Sequence, residues 1–257
     1  MTTILDIENH KATITFNRPE ASNSVSRELL SSFLKNLQEV AGSNAVRVLF
    51  LQASGEKVFC AGADLKERAT MNEKEVIHFL DMFRYTCNFL ENLPFPTVAV
   101  LNGDAYGGGL EIALCCDIRI MANESKIGLT ETKLGIIPGA GGTQRLSRLI
   151  GVSRAMDLIF TGRRIDSNSA LALGLVNFIS DRVNIFEFTR SYAEEISASA
   201  PIAVRMAKKA IKSGLSQDLN IALDMERACY LQTLKTKDRN EALTAFKEKR
   251  KPNFIGE

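Results

Sequence analysis

The chain of 257 residues contains no tryptophan, two histidines and six prolines. Neither histidine has the setting of nucleophilic machinery. His10 falls in a turn and His78 on a surface-prone helix, and neither accompanies a serine in a G-x-S-x-G context, so a Ser-His triad has no footing. The five cysteines, Cys60, Cys87, Cys115, Cys116 and Cys229, are odd in number, scattered and mostly set in apolar stretches. That pattern favours reduced core thiols in a reducing compartment over a disulfide framework. The adjacent Cys115 and Cys116 lack the spacing of a zinc site.

Excess charge is missing too. A net charge of +2 from 32 basic and 30 acidic residues creates no field that draws the whole molecule to nucleic acid or membrane, so any anion site must be local. No apolar window reaches the roughly 18 to 20 residues needed to span a bilayer. Met1 to Ile7 lacks a basic region followed by an apolar run, which argues against a presequence and for a cytoplasmic protein. With 45% hydrophobic and 24% charged residues, what remains is an ordinary globular composition, long enough for one large α/β domain or two small ones.

Periodicity supplies the elements. Ile4 to Ile7 and the alternating Ala12, Ile14 and Phe16, with Asn9-His10 between them, predict a β-hairpin. Leu29, Phe33, Leu37 and Val40 recur at helical spacing, and Val46 to Leu51 reads as a buried strand, so the order is that of a βαβ unit. A second helix is expected from about Asn72 to Leu90, with Val76, Phe79, Leu80, Phe83, Cys87 and Leu90 on one face. Leu93-Pro94-Phe95-Pro96 stops it, because proline lacks the amide and restricts its predecessor. Thr97 to Leu101 and Ile118 to Met121 read as strands around a glycine turn and helix at Gly107 to Cys116. Beyond Ser153 helices dominate: Ala155 to Phe160, Asn184 to Ala198, Pro201 to Lys212, Leu219 to Leu234 and Asn240 to Lys247, with Val176 to Ile179 the one clear strand. An α/β core over residues 1–190 followed by a helical region over 191–257 is the expected organisation.

Three segments are rich in glycine at strand ends: Phe59 to Leu65, Gly103 to Glu111 and Gly135 to Thr143. Each alone reads as a tight turn. None is a phosphate motif, since Gly142 is followed by Thr143-Gln144 rather than by the Lys-Ser/Thr of a P-loop, and no G-x-G-x-x-G opens a helix. A glycine triplet that opens a helix does more, because its first amides point outward unpaired. With a second amide from the Gly62-Ala63 turn they can form a two-donor oxyanion hole. Glu111 stands in an apolar helix, where a carboxylate can equally well serve as a cap, and Glu131 lies between two threonines.

The runs Phe59 to Glu67, Gly107 to Arg119 and Glu131 to Leu146 resemble, in order and spacing, the signature blocks of the crotonase (enoyl-CoA hydratase/isomerase) family. Asn17-Arg18-Pro19 and Ala245 to Arg250 resemble its two ends, so the likeness spans nearly the whole chain. It implies an α/β fold: a spiral of repeated ββα/βαβ modules with a C-terminal helical region that packs homotrimers, often paired into hexamers. It also implies an acyl-CoA thioester substrate, with the amides of Ala63 and Gly108 as the oxyanion hole and Glu111 and Glu131 as the catalytic pair. Residues Ala61, Gly62, Ala63, Asp64 and Leu65 are expected along the CoA moiety, and Phe246 and Lys249 at its far end, often from a neighbouring subunit. No metal or redox cofactor is implied, since coenzyme A is part of the substrate.

Two glutamates favour hydration over isomerisation, for which family members commonly keep one. The segments Cys60 to Ala69, Gly128 to Leu134, Glu226 to Tyr230 and Thr236 to Arg239 look closest to methylglutaconyl-CoA hydratases, some of which also bind AU-rich RNA. The basic cluster Lys247, Lys249, Arg250 and Lys251 reads more simply as a solvated helix end or a contact for CoA phosphate. A substrate with a distal carboxylate needs a cation, and Lys66, Arg68 and Lys133 are the basic residues nearest in sequence to the acyl pocket.

Overall fold

A computed structural model describes residues 1–257. The hairpin forms as expected, with β1 (Thr3–Glu8) antiparallel to β2 (Lys11–Phe16). The inward residues Ala12, Ile14 and Phe16 are fully buried. Helix α1 (Arg27–Gly42), capped by the Ser26 hydroxyl accepting from the Leu29 amide, leads to β3 (Val48–Ala53), which pairs parallel with β2. A short strand β4 (Val58–Cys60) and a single turn α2 (Leu65–Arg68) follow. Helix α3 (Glu73–Glu91) opens with a capping box between Asn72 and Glu75, two reciprocal bonds that fix its first turn.

The next turns of the chain repeat this plan. Strand β5 (Thr97–Leu101), the short β6 (Asp104–Tyr106) and α4 (Gly108–Cys115) form one module. The strands β7 (Ile118–Ala122) and β8 (Lys126–Gly128), with α5 (Gly142–Ile150) and α6 (Val152–Thr161), form the next. A two-residue β9 (Ile165–Asp166), α7 (Ser167–Ala172) and β10 (Phe178–Ser180) close the sheets, and α8 (Ile185–Ser197), α9 (Pro201–Gly214), α10 (Leu219–Thr233) and α11 (Lys237–Glu248) complete the chain. The strands β3, β5 and β7 join the hairpin and β10 in a six-stranded sheet, β1-β2-β3-β5-β7-β10, and their followers β4, β6 and β8 join β9 in a four-stranded sheet, β4-β6-β8-β9. A spiral of ββα turns results.

The central strands read as continuous apolar runs because both faces of the large sheet are covered. Leu49, Leu51, Ala99, Leu101 and Met121 face the main core with α1 and α3, while Val48, Phe50, Val98, Val100 and Ile120 pack against Ile185 and Ala193 of α8. Several elements depart from the sequence expectation. The β4-β6-β8-β9 sheet was not foreseen, because strands of two or three residues are too short to show alternation. The strand expected at Val176 to Ile179 lies at Phe178–Ser180, and Ile165–Asp166 is a second strand beyond Ser153. Helix α5 was not foreseen either: Gly141 at its start has no capping side chain, so the segment looks like a continuing glycine loop.

Candidate active site

The second sheet brings the candidate residues together. Strands β4, β6 and β8 run parallel, with Cys60 beside Ala105 and Tyr106 beside Gly128. Their carboxyl ends are therefore aligned, and the segments that follow them, Ala61 to Asp64, Gly107 to Glu111 and Leu129 to Glu131, meet at one edge. In open parallel sheets that edge is where ligands bind.

Two backbone amides converge there. Val25 donates to the Gly62 carbonyl at 2.8 Å and accepts from the Asp64 amide at 3.0 Å. In a bridge of this kind the intervening residue turns its own amide to the other side, so the Ala63 N–H faces away from Val25. Gly62 takes φ +94°, and a Cβ on it would lie 3.0 Å from the Tyr106 carbonyl oxygen and 3.3 Å from the Gly108 nitrogen. Gly108 is the first residue of α4, where an amide has no intrahelical acceptor. A Cβ on Gly108 would lie 3.7 Å from the Ala63 nitrogen and 2.9 Å from the Phe83 ring. The Ala63 and Gly108 residues are thus near neighbours, and the Phe83 ring packs against Gly108. One residue on, α4 approaches β4 so closely that a side chain at Gly109 would run into the Cys60 carbonyl.

Glu111, 3% exposed, does not cap its own helix. Its Oε1 accepts from the Ala140 amide at 2.8 Å and the Gly142 amide at 2.7 Å, and its Oε2 takes no hydrogen bond from the protein. Burial pushes its pKa up, while the Gly142 and Ala140 amides and the Arg145 charge pull the other way. Glu131 stands in a 3-10 turn, Glu131–Leu134, that Gly135 ends in the left-handed region. It is 8% exposed, and neither carboxylate oxygen has a hydrogen-bond partner. Burial first, and then the charge of Glu111, raise its pKa to about 7. Both glutamates line a cavity of about 850 Å³ together with Ala61, Gly62, Ala63, Leu65 and Gly108.

This pairing has a direct chemical reading. One carboxylate is held by two amides in a form that tolerates negative charge. The other is held by none, and burial and the Glu111 charge favour its protonated form. Two such groups beside a pair of amide donors can move one proton onto and another off a substrate whose carbonyl carries the developing charge.

Comparison with known proteins gives the family. Residues 6–257 match the sequence profile of the enoyl-CoA hydratase/isomerase family. The chain belongs to that family. A crystal structure of an enoyl-CoA hydratase from Bacillus anthracis superposes with a TM-score of 0.98 at 48% identity, covering 100% of both chains. An enoyl-CoA isomerase/hydratase of Mycosarcoma maydis is 48% identical over 95% of this chain and 92% of its own length. The mitochondrial methylglutaconyl-CoA hydratase of Mus musculus is 45% identical over 94% of this chain and 78% of its own. The crotonase fold implied by the sequence blocks is thus the fold observed, and the chain is a hydratase/isomerase-type enzyme.

Three other expected residues lie outside the cavity wall of this copy. The Asp64 side chain turns away from the cavity: it caps α2 by accepting from the Lys66 and Glu67 amides at 3.1 and 3.3 Å and pairs with Arg18 at 3.1 Å. Those contacts fix the turn that carries Ala63, and its neighbours Ala61, Gly62, Ala63 and Leu65 line the cavity. Phe246 and Lys249 do not line it either. Phe246 is 85% exposed, and Lys249 ends α11 in the left-handed region, so contact with a ligand in this cavity would have to come from another copy. In the basic cluster, Arg250 is engaged by Glu241 at 2.5 Å and Glu248 at 2.7 Å.

Of the three candidate cations for a distal carboxylate, Arg68 alone lines the cavity, with its guanidinium 5.6 Å from the centre of the Phe79 ring. Lys133 is turned toward Gly162. The sequence reading missed Arg84 and Gln144, which also line the cavity. Arg84 lies four residues after Leu80 on a face already recognised as apolar; extending that row by one turn would have found it.

Proposed function

We propose that the protein catalyses the reversible addition of water to a 2-enoyl-CoA thioester. The observation that carries this reading is the asymmetry of the two cavity carboxylates, one anchored by two amides and one unpaired. The amides of Ala63 and Gly108 receive the thioester oxygen and draw electron density from the β-carbon. Water held by Glu111 Oε2 attacks that carbon: its O–H bond breaks, the proton passes to Glu111, a C–O bond forms, and the double-bond electrons move onto the thioester oxygen as an enolate. The two amides bind this charge more tightly than the neutral carbonyl, which is the source of the rate increase. Protonated Glu131 then delivers its proton to the α-carbon as the enolate collapses, and the proton gained by Glu111 returns to Glu131 through solvent. The product is a 3-hydroxyacyl-CoA, and no step as written calls on a metal or redox cofactor. Isomerisation needs a single carboxylate to move one proton between two carbons, so a second, separately tuned carboxylate favours hydration.

A substrate carrying a distal carboxylate is a second reading, supported by the 45% identity to a methylglutaconyl-CoA hydratase and by two arginines in the cavity wall, Arg68 and Arg84. In either case we propose a homo-oligomer, because α6 shows solvent a stripe of Val152, Met156 and Phe160, 61%, 49% and 71% exposed. The test is direct. Crotonyl-CoA should lose its enone-thioester absorbance without any added cofactor and with chelator present. Glu111→Gln should lower kcat by about 10²- to 10⁴-fold. Near-normal turnover of that variant, or activity lost to chelator and restored by a divalent ion, refutes the proposal.

A further inference from the structure

The two carboxylates of the cavity are held in different ways. Glu111 is fixed by the Ala140 and Gly142 amides. Glu131 has no hydrogen bond at either oxygen; its carboxylate rests on Gly107, where a Cβ would lie 3.1 Å from Oε1. Packing of that kind sets a limit on one side only. The direction in which Glu131 points is therefore decided by the backbone of its turn, Glu131–Leu134.

That turn is secured at its start, where Leu129 is buried just beyond β8. Its far side is loose. Leu134, Ile136 and Ile137 are 54%, 48% and 69% exposed, and the amides of Lys133, Gly135 and Ile136 bond only to carbonyls between Thr130 and Thr132. One side-chain hydrogen bond joins the turn to another element: the Thr132 hydroxyl donates to the Ile159 carbonyl, in the last turn of α6, at 2.7 Å. The acceptor is itself fixed, since Ile159 is buried and its carbonyl also receives the Gly162 amide at 3.3 Å. Gly162 leaves room for the hydroxyl, because a Cβ there would lie 3.2 Å from Thr132 Oγ1.

We infer that Thr132 is a positioning residue: by tying the turn to the end of α6, its hydroxyl holds the Glu131 carboxyl where it can pass a proton to the α-carbon. This inference rests on the proposed reaction and deepens it. Thr132 does not itself line the cavity, so it acts through its neighbour. A reacting group displaced by about 1 Å can cost about 100-fold in rate, and a carboxyl with no hydrogen bond of its own has nothing else to correct such a drift. Of the charged groups around Glu131, Glu111 on α4 faces it. Lys133 lies against Gly162, Asp157 pairs with Arg163, and Arg164 is stacked on the Tyr106 ring.

The test uses Thr132→Val in the full-length protein, which keeps the shape and removes the donor, with Thr132→Ala as a second variant free of any added bulk. With crotonyl-CoA, kcat should fall about 10- to 100-fold while KM changes little, and Thr132→Ser, which keeps the hydroxyl, should recover most of the loss. Burial is the main cause that raises the Glu131 carboxyl, and a loosened turn admits water, so the alkaline limb of kcat/KM should move to lower pH in Thr132→Val. A threonine that serves stability alone would leave that limb and kcat in place in the folded protein. Exchange of the α-protons of butyryl-CoA in D2O, followed by NMR, reads the same transfer without adding water: ionised Glu131 takes the α-proton and the enolate takes back a deuteron. If wild type hydrates no crotonyl-CoA but performs this exchange, and Thr132→Val slows it, the proposed reaction fails and the positioning stands. Unchanged kcat in both folded variants, an equal loss in Thr132→Ser, or a wild type that catalyses neither reaction overturns the inference.

Discussion

Replacing Glu131 with glutamine should stabilise the protein at alkaline pH while removing its activity. Glu131 is buried without a hydrogen-bond partner, and its carboxyl is raised from 4.5 to about 7 by burial and by Glu111. Between those two values the folded state binds more protons than the unfolded state, so stability falls as pH rises through that window, and the penalty is complete above about pH 7. At about 1.4 kcal/mol per pH unit, the displacement from 4.5 to about 7 corresponds to at most about 3.5 kcal/mol. Water entering the open cavity screens part of it, so about 1 to 3 kcal/mol is expected. Glutamine keeps the shape and never ionises. Urea unfolding of wild type and Glu131→Gln at fixed protein concentration should therefore give similar stabilities at pH 4.5 and a variant more stable by that amount at pH 8, with unchanged m-values. The same ionisation should reduce wild-type kcat/KM above about pH 7, since the proton donor is then lost. An equal stability difference at both pH values, or a variant less stable at pH 8, would show that the carboxylate is neither isolated nor strained by its neighbour, and the proton-donor role would go with it.

Two further outcomes test the framework around the site. Gly109→Ala should destabilise the fold by about 1 to 3 kcal/mol or more, the range for overpacking, because its Cβ meets the Cys60 backbone carbonyl; denaturation indistinguishable from wild type would mean that α4 does not rest on β4. Light scattering should report a trimer or hexamer, and Val152→Glu combined with Phe160→Glu on the exposed face of α6 should shift it toward smaller species; a wild type that is an active monomer in dilute solution rules the assembly out.

Much of the large sheet was legible in the sequence because its signals are local. The alternation at Ala12, Ile14 and Phe16 and the apolar run of Thr97–Leu101 each declare a strand within five or six residues, and the Asn72 capping box marks the start of α3. The candidate site was not legible in this way. Glu111 reads as a helix cap and Glu131 as an ordinary polar residue until β6 and β8 pair, a contact between segments some twenty residues apart. Only the likeness of whole blocks to a family brought the two together beforehand. The Asp64 side chain, expected along the CoA moiety, secures the Ala63 turn through Arg18, a contact that the blocks do not announce.

The reason lies in how the site is built. Strands of three residues, Val58–Cys60, Asp104–Tyr106 and Lys126–Gly128, set the positions of the oxyanion amides and both carboxylates. So short a strand bears almost no pattern of its own, and it holds its register because each is joined by a short loop to a long strand of the buried sheet. Positional accuracy is thus inherited from the six-stranded sheet, while chemical identity is set by residues that sit just beyond the last hydrogen bond of each short strand. A consequence is that changes in the large sheet should reach the chemistry through register. Asn102 is the clearest such point: buried between β5 and β6, it accepts from the Ala53 amide at 3.2 Å and donates to the Ala53 and Gly55 carbonyls at 2.9 and 3.0 Å. It ties the end of β3 to the turn that enters β6. Asn102→Ala leaves the Ala53 amide and carbonyl unpaired in a buried setting, at about 1 to 3 kcal/mol each where water does not replace the bond, while the exposed Gly55 carbonyl turns to solvent. Its effect on kcat should exceed its effect on KM, because the ligand contacts remain while the spacing of Ala63 and Gly108 loosens. If kcat and KM were both unchanged in a variant with clearly lowered stability, the two sheets would be positioned independently, and the register of β4, β6 and β8 would have to be set within the small sheet alone.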